Sequence, residues 1–124
     1  MGPILKLDGL TRSFGAVKVA DGLGFELSKG QALGVIGPNG AGKTSMFNLV
    51  TGTLKPDGGR VYFNGADVTA LSAARRSRSG MARSFQIPQP FTHMTVFENA
   101  MVAATQAAGL SGRRAETLCL SVLE

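Results

Sequence analysis

At 124 residues, 44% hydrophobic and 17% charged, the chain has the make-up of one folded domain with a single core, which excludes intrinsic disorder. No window approaches the roughly 18 consecutive apolar residues of a membrane-crossing helix, and a lone cysteine, Cys119, excludes an internal disulfide and suits a reducing compartment. The net charge of +5 admits nucleic acid, anionic lipid or phosphate as a partner.

Residues 4–7 alternate apolar side chains with Lys6 and read as a first strand. Residues 22–27 set Phe25 and Leu27 on one face and Glu26 on the other, a half-exposed strand. Residues 32–36, Ala-Leu-Gly-Val-Ile, are apolar without alternation, as expected of a strand buried on both faces of a sheet. Residues 42–51 place Met46, Phe47 and Val50 at helical spacing, with Gly52 positioned to end the helix. Pro56-Asp57-Gly58-Gly59 is a turn, and residues 60–63 form a strand with Val61 and Phe63 on one side. Residues 71–79 read as an arginine-rich helix stopped by Gly80, followed by a short strand over 81–86 and a loop over 87–94. Thr95 caps a helix running to Ala108, with Glu98 completing a capping box. Residues 109–112 interrupt the pattern, and 113–124 begin one more helix, on which Cys119 serves as a small apolar residue.

The start of the chain lacks a basic segment ahead of an apolar run, so no signal peptide is expected. Position 6, a lysine, lacks the Ser or Thr of a myristoylation site. Arg75, Arg76, Arg78 and Arg83 are the only dense basic cluster. Without interleaved aromatics they read as a solvated helical face, and no nucleic-acid partner is expected.

The chemistry lies in Gly37-Pro38-Asn39-Gly40-Ala41-Gly42-Lys43-Thr44, a full match to G-x-x-x-x-G-K-[ST] between an apolar run and an amphipathic helix. The glycines let backbone N–H groups turn inward on phosphate oxygens, where side chains would obstruct. The following helix offers the same anion its N-terminal amides, including that of Ser45. Lys43 supplies a full charge for the β- and γ-phosphates, and the Thr44 hydroxyl suits Mg²⁺, a hard cation that prefers oxygen.

Residues 30–44 resemble the strand and Walker A loop of ABC transporter ATPases. The resemblance extends through Leu54-Lys55-Pro56-Asp57-Gly58-Gly59-Arg60-Val61 and Gly80-Met81-Ala82-Arg83-Ser84-Phe85-Gln86, the latter similar to the family's Q-loop entry. The run from Arg83 through Thr95-Val96-Phe97-Glu98-Asn99 is most similar to the branched-chain amino acid importer type, and the likeness spans about residues 4–108. It implies an α/β, P-loop NTPase core with an N-terminal antiparallel β part, in which residues 1–124 are the N-terminal portion of one nucleotide-binding domain, cut at the start of the helical subdomain. It further implies ATP and Mg²⁺ as cofactors, Phe14 as the ring stacking on adenine, and residues 37–45 as the nucleotide cradle. Lys43 and Gln86 would be the catalytic pair, with Thr44 and Gln86 reaching the metal. The implied partners are a second ATPase subunit and permease subunits met by the stretch from Gln86 to Asn99, at the cytoplasmic face of the membrane.

Three features depart from a complete ATPase of this kind. No four apolar residues ending in Asp follow the loop, so Walker B and its adjacent Glu are absent. Leu110-Ser111-Gly112 is followed by Arg113-Arg114 rather than by the rest of a signature motif, so it reads as a helix break. No switch histidine follows, and His93 reads as an exposed structural residue. Two rival readings are a non-catalytic nucleotide-binding fragment and a GTPase or nucleotide kinase. Against a GTPase, Asp21-Gly22-Leu23-Gly24 precedes the loop and no asparagine is followed by lysine.

Overall fold

The computed structural model describes residues 2–37, 42–85 and 87–124. Its elements run β1 (Leu5–Phe14), β2 (Val17–Leu27), α1 (Lys43–Thr51), β3 (Gly58–Phe63), β4 (Ala66–Asp67), α2 (Ala73–Arg78), α3 (Val96–Val102), a π-helical turn (Ala103–Ala107) and α4 (Gly112–Leu123). The strands form one antiparallel sheet in the order β2-β1-β3-β4. This is the antiparallel β part expected at the start of the chain.

β1 is the spine of that sheet. Leu7 stands opposite both Phe25 of β2 and Val61 of β3. Leu7 and Leu10 are both buried although three residues apart. Strict alternation would send them to opposite faces, so a bulge must intervene. The pairing with β2 does shift between Leu7 and Leu10, and again on either side of Arg12. These irregularities are why β1 and β2 outrun the predicted strands, which end where simple alternation ends. β3 likewise starts at Gly58, inside the predicted turn. There Gly59 takes φ 85, and a Cβ on it would lie 2.6 Å from the Asp8 carbonyl; no other residue lets β3 approach β1 so closely.

α1 closes the sheet's core with Met46 and Leu49, both buried, while Phe47 is 44% exposed. The packed stripe is therefore one residue removed from the predicted Met46–Phe47–Val50 face. Gly52 ends the helix as expected, its N–H donating to Asn48 O.

The predicted strand at 32–36 does not form. Residues 31–37 lack regular structure, with Leu33 51%, Val35 39% and Ile36 96% exposed. An apolar strand is stable in a sheet only with neighbours to accept its ladder bonds and cover its faces, and no described residues supply them. The same holds for 81–85, which is irregular rather than a strand; Gln86 lies outside the described residues.

Apolar burial divides between two compact units, Met1–Ala73 and Ala74–Glu124, in place of the expected single core. In the second unit Ala104, Ala115 and Cys119 form the buried cluster, with Phe97, Ala100, Met101 and Leu110 against it. Cys119 thus occupies the small apolar position expected of it. The helix predicted from Thr95 to Ala108 widens into a π-turn after Val102. Its capping box is present: Thr95 Oγ1 accepts from the Glu98 N–H and Glu98 Oε1 accepts from the Thr95 N–H, each at 3.1 Å. The arginine-rich helix corrects another expectation, because Arg75 and Arg78 are exposed but Arg76 is 2% exposed. A guanidinium tolerates such burial when its donors are engaged, which a reading of charge spacing does not anticipate.

Candidate functional site

The two ends of the glycine-rich loop are held by different means. At its C-terminal end, Gly42 caps α1 in the left-handed region, φ 95, and a Cβ there would meet the Val19 carbonyl at 2.8 Å. Backbone of β2 thus presses directly on the loop, and only glycine satisfies both constraints. At its N-terminal end, the Gly37 carbonyl accepts a hydrogen bond from Lys43 Nζ, which bends the ammonium back across the loop. Pro38, Asn39, Gly40 and Ala41 lie outside the described residues.

The first turn of α1 carries Lys43, Thr44 and Ser45. Its opening intrahelical bond runs from Met46 N to Gly42 O at 2.9 Å, so the amides of those three residues have no acceptor within the helix. They leave a cluster of donors at the positive end of a nine-residue helix. Thr44 is exposed, and Lys43 and Ser45 are half-buried. A cavity of about 260 Å³ opens here, lined by Val19, Asp21, Val35, Ile36, Lys43 and Met46 among others. A larger cleft of about 810 Å³, bordered by Pro3, Lys6, Lys29 and Tyr62, shares no residue with the loop.

Phe14 ends β1 opposite Val17, the first residue of β2. Two residues further, Val19 abuts Gly42. One hairpin therefore carries both the aromatic ring and the surface on which the loop rests. The ring is 49% exposed, and the Arg12 guanidinium lies over it at 4.6 Å from its centre. Arg12 is tied in turn to the turn before β3, donating to Lys55 O at 3.0 Å and pairing with Asp57 Oδ1 at 3.4 Å. Asp57 Oδ2 also accepts from Ser13 N–H at 2.8 Å. Neither Arg12 nor Asp57 was among the expected site residues. Register shifts on either side of Arg12 interrupt simple alternation, so strand periodicity carried no signal for the Arg12–Phe14 pair.

In the second unit, the loop ahead of α3 is stitched by Asn99. Its Oδ1 accepts from Phe91 N–H at 2.8 Å, and its Nδ2 donates to Phe91 O at 3.1 Å and Thr95 O at 2.8 Å. Ile87 and Phe91 remain exposed on this loop, and His93 packs edge-on to Phe91, ring centres 6.4 Å apart. Hydrogen bonds from the Thr95 backbone and hydroxyl hold the Glu98 carboxyl below its ordinary pKa. Among the described residues no three His, Cys, Asp or Glu side chains gather as a metal-binding group, and no helix is long and apolar enough to cross a membrane.

A family model described as ABC transporter matches residues 20–121. The chain belongs to the ABC transporter family. It is 42% identical over 99 residues to the probable branched-chain amino acid transport ATP-binding protein LivG of Methanocaldococcus jannaschii, covering 80% of this chain and 38% of that one. It is 40% identical over 101 residues to the high-affinity branched-chain amino acid transport ATP-binding protein BraF of Pseudomonas aeruginosa, covering 82% and 40%. Among solved structures, a nucleotide-free ATP-binding cassette from an ABC transporter superposes with a TM-score of 0.75 at 38% identity, covering 95% of this chain and 46% of that one. An ABC cassette in its ADP conformation gives 0.75 at 37% identity over the same shares. The chain thus spans about two fifths of the length of these relatives. The ABC cassette fold expected from residues 30–44 is the fold of these neighbours.

Proposed function

We propose that the chain is the nucleotide-binding front of an ABC transporter ATP-binding subunit, which couples ATP binding and hydrolysis to import of branched-chain amino acids. The observation that carries this reading is the loop's anchorage: Gly42 is pressed on Val19, and Lys43 is folded back to Gly37 at the head of α1. The import of branched-chain amino acids rests on the names of relatives such as LivG and BraF.

The residues present fit a nucleotide. Gly42 takes a left-handed turn against the Val19 carbonyl that any side chain would obstruct, and the first-turn amides with the Lys43 ammonium provide complementary charge. In this reading residues 37–45 cradle the phosphates of ATP, the Thr44 hydroxyl is the protein's ligand to Mg²⁺, and Phe14 stacks on adenine. Lys43 and Gln86 take the catalytic roles and Gln86 also approaches the metal; these assignments rest on the family resemblance. Mg²⁺ would neutralise charge developing on the phosphates during transfer. Residues 1–124 are then part of one nucleotide-binding domain that pairs with a second ATPase subunit. The stretch from Gln86 to Asn99, with Ile87 and Phe91 exposed, faces a permease at the cytoplasmic side of the membrane. These residues by themselves bind nucleotide with negligible turnover, because no Walker B carboxylate is among them.

Titration with a fluorescent ATP analogue, with and without Lys43→Ala, tests the reading. Equal affinity in the two proteins removes the phosphate-loop assignment.

A further inference from the structure

We infer that Arg12 is a positioning residue for the nucleotide base: held by the Lys55 carbonyl and Asp57, its guanidinium fixes the Phe14 ring in the orientation that receives adenine. This rests on the ATP-binding reading and deepens it, since nothing in that reading assigns a role to Arg12, Lys55 or Asp57.

Phe14 sits at a hairpin end, half exposed, where a ring would ordinarily sample several rotamers. The guanidinium lies over one of its faces, while about half of the residue stays open to solvent, where a planar partner could stack. A cation over one face of a ring is attracted to its electron density and resists the ring's rotation away. The guanidinium is itself immobilised, because Nη1 meets both the Lys55 carbonyl and Asp57 Oδ1. Its Nε is buried without an acceptor among the described residues, so part of the cation is already stripped of water, which strengthens attraction to the ring.

The anchor reaches further than one ion pair. Asp57 is bound from both sides: its N–H donates to Thr11 O at 2.7 Å and its Oδ2 accepts from Ser13 N–H. The turn before β3 therefore grips Thr11, Arg12 and Ser13 of β1 through backbone and side chain together. The pairing of β1 with β2 shifts register on either side of Arg12, and its guanidinium lies over the Phe14 ring. Base recognition is thus supported by a turn outside the glycine-rich loop. Affinity should depend on Arg12 only when the ligand carries a base.

A cation–π contact of this kind biases the ring by an amount equal to about a two- to fivefold population change. The experiment measures binding of a fluorescent ATP analogue, and of inorganic tripolyphosphate by competition against it. The proteins compared are the unmodified chain, Arg12→Met, Arg12→Lys, Phe14→Ala and the Arg12→Met/Phe14→Ala double variant. Arg12→Met should weaken the ATP analogue about two- to fivefold with tripolyphosphate unchanged, and Arg12→Lys should restore part of the loss by returning a cation to the ring. In the Phe14→Ala background, Arg12→Met should cost nothing more.

Equal weakening of both ligands, or an Arg12 effect that survives loss of the ring, overturns the inference and leaves the phosphate loop in place. If tripolyphosphate fails to compete even with the unmodified chain, the ATP-binding reading itself falls and the inference falls with it.

Discussion

The Lys43 ammonium donates to the carbonyl of Gly37, six residues before it, so the two ends of the glycine-rich loop are joined by a side chain as well as by backbone. An incoming phosphate competes for that ammonium, exchanging a neutral acceptor for a charged one. The phosphate adds the attraction of opposite charges to the hydrogen bond, so the exchange favours the ligand. Lys43→Ala should weaken nucleotide binding about tenfold or more, measured by fluorescence titration. Its melting temperature should change little, because Gly37 is exposed and water can replace the lost donor.

Gly42→Ala should act on folding as well as binding. The position requires φ 95, and its new methyl would meet the Val19 carbonyl at 2.8 Å. Left-handed backbone alone costs an alanine about 1–2 kcal/mol, and the clash adds to it. Thermal unfolding should shift downward, and nucleotide affinity should fall with the displaced loop. A variant that melts like the unmodified chain would mean that β2 does not press on the loop.

Leu49 is fully buried on α1, and truncation to alanine removes apolar contacts while opening a cavity. Leu49→Ala should destabilise by about 2–5 kcal/mol in urea unfolding. Phe47→Ala, on the exposed side of the same helix, should cost well under half as much. The reverse order would restore the predicted helix face over the observed one.

Two exposed carboxyls make stability fall in acid. Glu98 is held below its ordinary value of 4.5 by Thr95, and Asp67 below 3.8, chiefly by the Thr69 hydroxyl. A lowered folded-state pKa means that the unfolded chain binds the proton more readily. The stabilisation is therefore complete above these ordinary values and is lost as pH drops through the lower folded-state values. Melting followed from pH 6 to pH 2 should show this decline, and Thr95→Ala should reduce its amplitude. That substitution also removes a helix cap, worth about 1 kcal/mol at neutral pH. An unchanged acid profile in Thr95→Ala would separate Glu98 from the effect.

Leu33, Val35 and Ile36 stand exposed within four residues of one another, and Phe47 is exposed on α1. Exposed apolar surface promotes association. The chain should show concentration-dependent light scattering, which Ile36→Lys should reduce. A monodisperse monomer at high concentration would contradict this.

Local chemistry was legible from residue order alone. The glycines, lysine and threonine of the loop, the Thr95–Glu98 box and the Gly52 stop each depend on neighbours within a few residues. Their signals survive without knowledge of the fold. Strand extent was not legible, because the bulge that buries both Leu7 and Leu10 breaks the alternation by which strands are recognised. Nor could spacing say that Arg76 would be buried, that Val19 backbone would press on Gly42, or that Asp57 would bind Arg12 forty-five residues away. The last two contacts join positions distant in the chain, and they follow from how β1, β2 and β3 assemble. The apolar run at 32–36 shows the boundary between the two kinds of information. Its composition is that of a buried strand, but a strand also needs neighbours to hydrogen-bond, and whether it has them is a property of the assembled sheet.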